Sequence, residues 1–359
     1  MATTTHPEFN ANTEGIEVAK AFPDSVRGKT IIVTGVNRNG IGFTTAQALA
    51  SQSPAHLILA GRTPSKVQAC IEALKSEYPD VDYRLLEIDL ASQKSVRAAA
   101  ANLLSWSDIP EVNIIINSAG VGGIQQRTLS EDGIELHFAT NHIGHWLFTC
   151  LIMSKLIKAA QSSPKGATRI VNVSSGSPTI SNMRWSDINF ETTNKDLPEV
   201  EQPRYDWMKA WGYTHDLTVE KYVPIDGYNR SKVANVLFGI GANKRLFETY
   251  GILATAVHPG VIHTELVRYF DDQTLAAIKK LSDNNIYMYR SLEAGSSTSL
   301  VAALDPKLRV ETKDGNENLG AFLVDCQVST TATTLATSSE EAEKLWKLSE
   351  KLVKQEFSW

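Results

Sequence analysis

Tyr228 and Lys232 stand four residues apart in Tyr228-Asn229-Arg230-Ser231-Lys232, a spacing that puts both on one face of a helix, one turn from each other. A free tyrosine has a pKa of about 10 and is a poor base at neutral pH. A lysine ammonium beside it favours the phenolate, which lets the pair exchange protons at physiological pH. The strand-like run Arg169-Ile170-Val171-Asn172-Val173-Ser174-Ser175 ends on a hydroxyl that can hold a substrate oxygen while the tyrosine moves its proton. Such a set suits carbonyl–alcohol interconversion. Alone, the Tyr-x-x-x-Lys spacing is weak, because any amphipathic helix with a core aromatic and a solvated lysine carries it.

The elements that must position these groups raise its value. Lys29 to Thr34 is a short, apolar, β-branched run that reads as a buried strand. It enters Gly35-Val36-Asn37-Arg38-Asn39-Gly40-Ile41-Gly42 and then the helix-like Thr44 to Ala50. Strand, glycine loop and helix together let backbone approach a pyrophosphate at a helix N-terminus. A second buried strand, His56 to Gly61, ends at Arg62, 20 residues after Gly42. The residue that reads the ribose of NAD at this distance is acidic. A guanidinium suits a 2′-phosphate instead, and Arg38 within the loop adds a second charge. The expected cofactor is therefore NADP(H).

Taken together these residues resemble the short-chain dehydrogenases/reductases, over about Gly28 to Asp325. The Gly35–Gly42 segment looks like the family's cofactor loop, and Asp89-Leu90 like its adenine-contacting acidic position. Asn117-Ser118-Ala119-Gly120 resembles the turn that closes the fourth strand over the cofactor. His258-Pro259-Gly260-Val261-Ile262-His263-Thr264 resembles the segment that contacts the nicotinamide carboxamide. Asn141, Ser175, Tyr228 and Lys232 match the catalytic positions. The wording Asn141-His142-Ile143-Gly144-His145, with the basic Arg62, looks most like the retinol-dehydrogenase-like and WW-domain-oxidoreductase-like branch. The resemblance implies that Ser175 positions the substrate oxygen, Lys232 lowers the tyrosine pKa and bonds the nicotinamide ribose, and Asn141 anchors a water relay to Lys232. It also implies cofactor contacts from Gly35, Asn37, Arg38, Gly40, Ile41, Gly42, Arg62, Asp89, Leu90, Asn117, Ala119, Gly120, Tyr228, Lys232, Pro259, Gly260, Val261, Ile262 and Thr264.

Two departures stand out. The glycine loop holds four residues between Gly35 and Gly40 where the family usually has three. Ser175 and Tyr228 lie 53 positions apart, so a sizeable insert, residues 177–226, adjoins the site. It carries Trp185, Tyr205, Trp207, Trp211, Tyr213 and Tyr222. Its aromatics read equally as a small satellite core or as a lid over a bulky, largely apolar substrate. Tryptophans 185, 207 and 211 are the candidates to face that substrate.

The rest of the chain bounds the reading. Expected strands near 30–34, 56–61, 83–89, 112–117, 168–174, 252–257 and 319–324 alternate with helices. That order implies an α/β fold, a Rossmann-type doubly wound parallel sheet with helices on both faces. Residues 1–27 read as a tail with one short helix, 28–330 as one domain, and 331–359 as a final helix packed on it. That helix starts at the capping box Ser338-Ser339-Glu340-Glu341 and carries Leu345, Leu348 and Leu352 on one side. A net charge of −5 offers no footprint for nucleic acid or anionic membrane. Cys70, Cys150 and Cys326 share no metal-like spacing and suggest a reducing compartment. His142, His145, His258 and His263 form no ligand pattern, so no metal is expected. No secretory signal or membrane span is read, and the expected setting is cytoplasmic. The expected partner is a small hydrophobic carbonyl or alcohol substrate, with a homodimer left open. A cofactor-binding sensor or scaffold, or a non-redox enzyme that keeps the cofactor, are the alternatives.

Overall fold

The computed structural model describes residues 3–286, 288–313 and 315–359. Its strands are β1 (Thr30–Thr34), β2 (His56–Gly61), β3 (Asp82–Glu87), β4 (Ile114–Asn117), β5 (Thr168–Val173), β6 (Ile252–His258), β7 (Val261–Ile262), β8 (Tyr289–Arg290), β9 (Glu311–Lys313), β10 (Asn316–Leu319), β11 (Phe322–Val324) and β12 (Gln327–Val328). The main sheet runs β12-β11-β6-β5-β4-β1-β2-β3. Every pairing in it is parallel except β11 with β12. Parallel strands need covered faces, and the near-continuous apolar runs of β1 and β4 follow from that. Ile32, Ile58, Ile115 and Ile170 feed the core on one side, and Ile31, Val33, Leu57 and Leu59 the core on the other. The fold is thus a doubly wound α/β sheet.

Some boundaries differ from the sequence reading, for local reasons. The stretch 319–324 divides at Gly320, whose φ is +97°, where a Cβ would lie 2.0 Å from the Arg309 carbonyl oxygen. Asn316–Leu319 pairs with β9 in a separate ribbon, and only Phe322–Val324 joins the sheet. The edge strand β12 escapes the sequence because its hairpin turns at Asp325 and Cys326, with φ of 53° and 66°. Such turns usually advertise themselves with Asn or Gly.

The N-terminal stretch read as a tail is docked. Helix Gly15–Ala21 packs on helix Leu292–Leu304, and the Thr5 amide and hydroxyl donate to the two carboxylate oxygens of the buried Asp305. The last helix, Ser339–Val353, starts at the Ser338 cap. Leu345, Trp346 and Val353 lead its buried face, with Leu348 and Leu352 at the margin. Among the described residues, no single helix is long and apolar enough to cross a membrane. The apolar stretch Trp146 to Met153 lies in the core.

Candidate active site

The strand order reverses between β1 and β4, and in open α/β sheets the crevice beyond the C-terminal strand ends at that point is where ligands bind. Here it is a cleft of about 690 Å³. Its walls include Gly35, Asn37, Gly40, Ile41 and Gly42 after β1, Arg62 after β2, and Asp89 and Leu90 after β3. Ala119 and Gly120 follow β4, Ser175 follows β5, and Pro259, Gly260, Val261, Ile262 and Thr264 follow β6. Gly35 has φ +73°, and a Cβ there would stand 2.5 Å from the Ala119 backbone, so the loop after β1 can lie against the turn after β4 only as glycine.

Two expected cofactor residues sit elsewhere. Asn117 is buried behind the wall, where its amide donates to Asn172 Oδ1 at 2.9 Å and ties β4 to β5. Arg38 is exposed, off the cleft wall, with its guanidinium 4.4 Å from the centre of the Phe43 ring.

Helix Pro224–Tyr250 presents Tyr228 to the cleft and Lys232 beneath it. Lys232 is 3% exposed, and its ammonium donates to the Val173 carbonyl at 2.9 Å. Burial lowers its pKa to about 7. Burial likewise raises the Tyr228 phenol to about 12, against the opposing pull of a hydrogen bond with Ser175. The lysine nitrogen is 5.7 Å from the phenol ring centre, and desolvation rather than the lysine sets the phenol's charge. The Tyr228 pKa is thus raised overall, because burial outweighs any lowering by Lys232.

Ser175 belongs to a short relay. The Ser177 amide donates to Ser175 Oγ at 3.0 Å, the Ser175 hydroxyl donates to Ser177 Oγ at 2.6 Å, and Ser177 donates to Asn229 Oδ1 at 2.7 Å. Asn141 lies behind the cleft wall, in a π-helical turn spanning Ala139–Ile143. Its side chain accepts from the Val121 amide and donates to the Val121 carbonyl and to Ser231 Oγ, all within 2.9 Å. Thr34 Oγ1 already accepts from the amides of Ser118 and Ala119, so its own proton goes to His145 Nε2 at 2.9 Å. That leaves His145 Nδ1–H to donate to the Asn141 carbonyl at 3.1 Å. Burial lowers the His145 pKa to about 4, which keeps this neutral tautomer. A histidine without chemistry of its own therefore braces the turns after β1 and β4 against Asn141.

The insert divides in two. Its first half is held by buried polar groups: Arg184, 1% exposed, donates to Asn194, Asp187 and the Thr192 carbonyl. Arg230 of the catalytic helix reaches the Asn182 and Glu201 carbonyls while paired with Asp226 at 3.0 Å. Trp185, a candidate for the substrate wall, points the other way. Its indole N–H donates to Glu341 of the last helix, and its ring packs on the core. In the second half, helix Tyr205–Ala210 and its cap set Trp207 and Trp211 side by side, tilted by 31° with ring centres 4.9 Å apart, and both residues line the cleft. They cluster with Met208, Leu217, Val223 and Ile225, against Tyr228 itself.

Among the described residues no three His, Cys, Asp or Glu side chains converge as metal ligands. The cleft suits a dinucleotide. Asn37 Oδ1 is buried with no hydrogen-bond partner among the described residues. The helix starting at Ile41 carries no carboxylate in its first turn to compete with a diphosphate.

Known proteins agree with this geometry. The family model for short chain dehydrogenases matches residues 29–186. Oxidoreductase fscI of Fusarium equiseti is 36% identical over 70% of this chain and 94% of its own length. Retinol dehydrogenase 12 of Homo sapiens is 31% identical over 90% of this chain and 85% of its own. The crystal structure of NADPH-bound carbonyl reductase from chicken fatty liver shares the fold, with a TM-score of 0.53 at 20% identity over 83% of this chain and 96% of that one. The chain belongs to the short-chain dehydrogenase family. Its relatives place it on the retinol-dehydrogenase-like side of that family.

Short-chain dehydrogenases are oxidoreductases that bind a nicotinamide cofactor. In this one, several cleft residues were not singled out from the sequence. Ser177 and Asn229 flank the reactive hydroxyls, and Leu266, Phe270, Ile278 and Leu281 complete the apolar wall. The last two had a signal. Thr274, Ile278 and Leu281 recur at helical spacing in Asp272–Asp283 and form its buried face.

Proposed function

We propose that this short-chain dehydrogenase is an NADP(H)-dependent oxidoreductase that interconverts a carbonyl and an alcohol on a bulky, mostly apolar metabolite. One observation carries the reading. Tyr228 and Ser175 share one cleft with two unlike groups of residues. Arg62, Lys66, Asp89, Glu265 and Arg268 supply every charged side chain on the wall besides Lys232, whereas Trp207, Trp211, Ile225, Phe270, Ile278 and Leu281 bear none. A phosphorylated cofactor matches the first group and an uncharged, extended hydrocarbon skeleton the second.

Ala119, Gly120 and the Pro259–Thr264 segment would hold the nicotinamide, which when bound supplies or takes the hydride. Ser175 bonds the substrate oxygen, and Tyr228 gives that oxygen a proton in reduction or takes one in oxidation. Burial keeps the Tyr228 phenol protonated up to about 12, so the resting side chain is in the form from which reduction starts. As the proton leaves, the Lys232 ammonium stabilises the phenolate that forms. A cofactor-binding sensor needs no proton-transferring set, so the gathering of Ser175, Tyr228 and Lys232 speaks for turnover.

Tyr228→Phe removes only the phenolic oxygen. NADPH consumption against a panel of bulky ketones and aldehydes is expected to fall by roughly 10²–10⁴-fold, the usual worth of general acid–base catalysis. A variant that turned over at the wild-type rate would sink the assignment.

A further inference from the structure

The segment that follows β7 lies along the cleft as a strap. Its single-turn helix Glu265–Tyr269 sends side chains in two directions. Leu266 and Phe270 rest on the turn at Gly122 and Gly123, beside Tyr228. A Cβ on Gly123 would fall 1.9 Å from the Phe270 ring, and one on Gly122 would stand 3.4 Å from both Leu266 and Tyr228. Gln125 fastens the strap by donating to the Tyr269 carbonyl at 2.9 Å. The opposite side of the strap reaches the cofactor's side of the cleft. Glu265 pairs with Lys66 at 3.2 Å, and Arg268 lines the cleft together with Arg62.

The Arg268 guanidinium donates to the Glu265 carbonyl at 2.7 Å and lies 4.7 Å from the centre of the Tyr269 ring, and Arg268 foremost, with Arg62 beside it, lowers the Tyr269 pKa. Two guanidiniums from different walls therefore line one cleft on either side of Tyr269. Lys66 is matched by Glu265, but among the described residues neither Arg62 nor Arg268 pairs with a carboxylate. Two guanidiniums on facing walls with no carboxylate between them suit an anion, and a phosphate accepts from both in a forked geometry.

We propose that Arg268, on the strap, is the second guanidinium that reads the 2′-phosphate of NADP(H), opposite Arg62, and that this contact draws the strap down over the substrate pocket. This rests on the reading of the protein as an NADP(H)-dependent oxidoreductase. It gives the place expected of Arg38 to a residue 206 positions beyond Arg62 in the chain. It also makes cofactor identity felt at the substrate end, because Leu266 and Phe270 ride on the same strap. A cofactor without the 2′-phosphate still binds, but leaves the strap less firmly closed.

Calorimetric titration of NADPH and NADH into wild type, Arg62→Gln, Arg268→Gln and the double variant tests the contact without turnover. Wild type should prefer NADPH. Arg268→Gln should lose about tenfold in NADPH affinity and leave NADH unchanged, which also certifies its fold. The double variant should lose less than the sum of the single effects, since both residues serve one phosphate. Chymotrypsin, cutting at Tyr269 and Phe270, reads the strap itself. Saturating NADPH should protect wild type several-fold better than saturating NADH, and Arg268→Gln should erase that difference. If Arg62→Gln weakens NADPH while Arg268→Gln does not, the strap proposal falls and NADP(H) preference stands. If wild type binds both cofactors equally, both fall. Equal protection by the two cofactors in wild type overturns the coupling.

Discussion

The two halves of the 177–226 insert are built on different physics, although the same residue types run through both. Residues 177–204 are a polar clasp. Arg184, Asp187, Asn194 and Glu201 are buried and bonded, and Trp185 turns its N–H to the C-terminal helix. Residues 205–226 are an aromatic cap, with Trp207 and Trp211 tilted against each other at the cleft and clustered with Met208, Leu217, Val223 and Ile225. The clasp fixes where the insert leaves and rejoins the body, and that rigidity lets a short helix hold an apolar wall over Tyr228. An insert beside an active site thus need not be lid throughout; half of it can be foundation.

The hardest way to break this division is to remove the clasp's charge. Asp187 is pushed up by burial, but the Glu191 and Thr192 amides and Arg184 hold it below the usual carboxylate range. Arg184→Ala strands that carboxylate among buried groups, a loss that typically costs about 3–5 kcal/mol. Thermal melting should show a marked fall in Tm, with NADPH affinity retained in the folded fraction. An unchanged Tm would mean that the clasp is not structural.

A smaller contrast comes from the tryptophans. Trp185→Ala should cost roughly 3 kcal/mol in a denaturant titration, as large aromatic truncations at a packed site do, and leave KM unmoved. Trp207→Ala or Trp211→Ala should do the opposite, raising KM for an apolar ketone about tenfold through lost apolar burial with little change in melting. If all three variants lose stability and none changes KM, the cap is only a satellite core.

The smallest expected effect lies at Lys232, between cap and cofactor. Its pKa, lowered by burial to about 7, means that the cation is present below that value and is lost above it. If the cation supports proton donation by Tyr228, the rate of reduction should fall severalfold between about pH 6 and 8. Trp207→Ala should keep this pH limb, whereas Lys232→Arg, charged throughout, should abolish it. A flat wild-type profile would show that the lysine's charge does not govern the step.

Much of the cofactor side was legible because parallel strands announce themselves. Thr30–Thr34, His56–Gly61 and Thr168–Val173 are runs rich in buried β-branched or apolar residues, and the cleft residues Gly35, Arg62 and Ser175 follow them within a few positions. Asn117 was misplaced because its spacing marks the end of β4 without telling which way the side chain points. Arg38 was misplaced because a place in the loop does not tell whether the guanidinium turns to the cleft or, as here, to the Phe43 ring. His145 read as inert because its bonds to Thr34 and Asn141 depend on a proton count across three elements.

The sequence alone determined the α/β class, the order of its elements, the family, and the Ser175–Tyr228–Lys232 set. These rest on short-range periodicity, on strand–loop–helix junctions and on a four-residue helical spacing, all local in the chain. Only the tertiary structure decided that Trp185 faces the last helix while Trp207 and Trp211 face the cleft, and that burial leaves Tyr228 protonated with Lys232 near neutrality. It also decided that Arg268 lines the same cleft as Arg62. Side-chain direction, desolvation and the meeting of distant loops arise when separate elements pack together, and no local pattern in the chain carries that information.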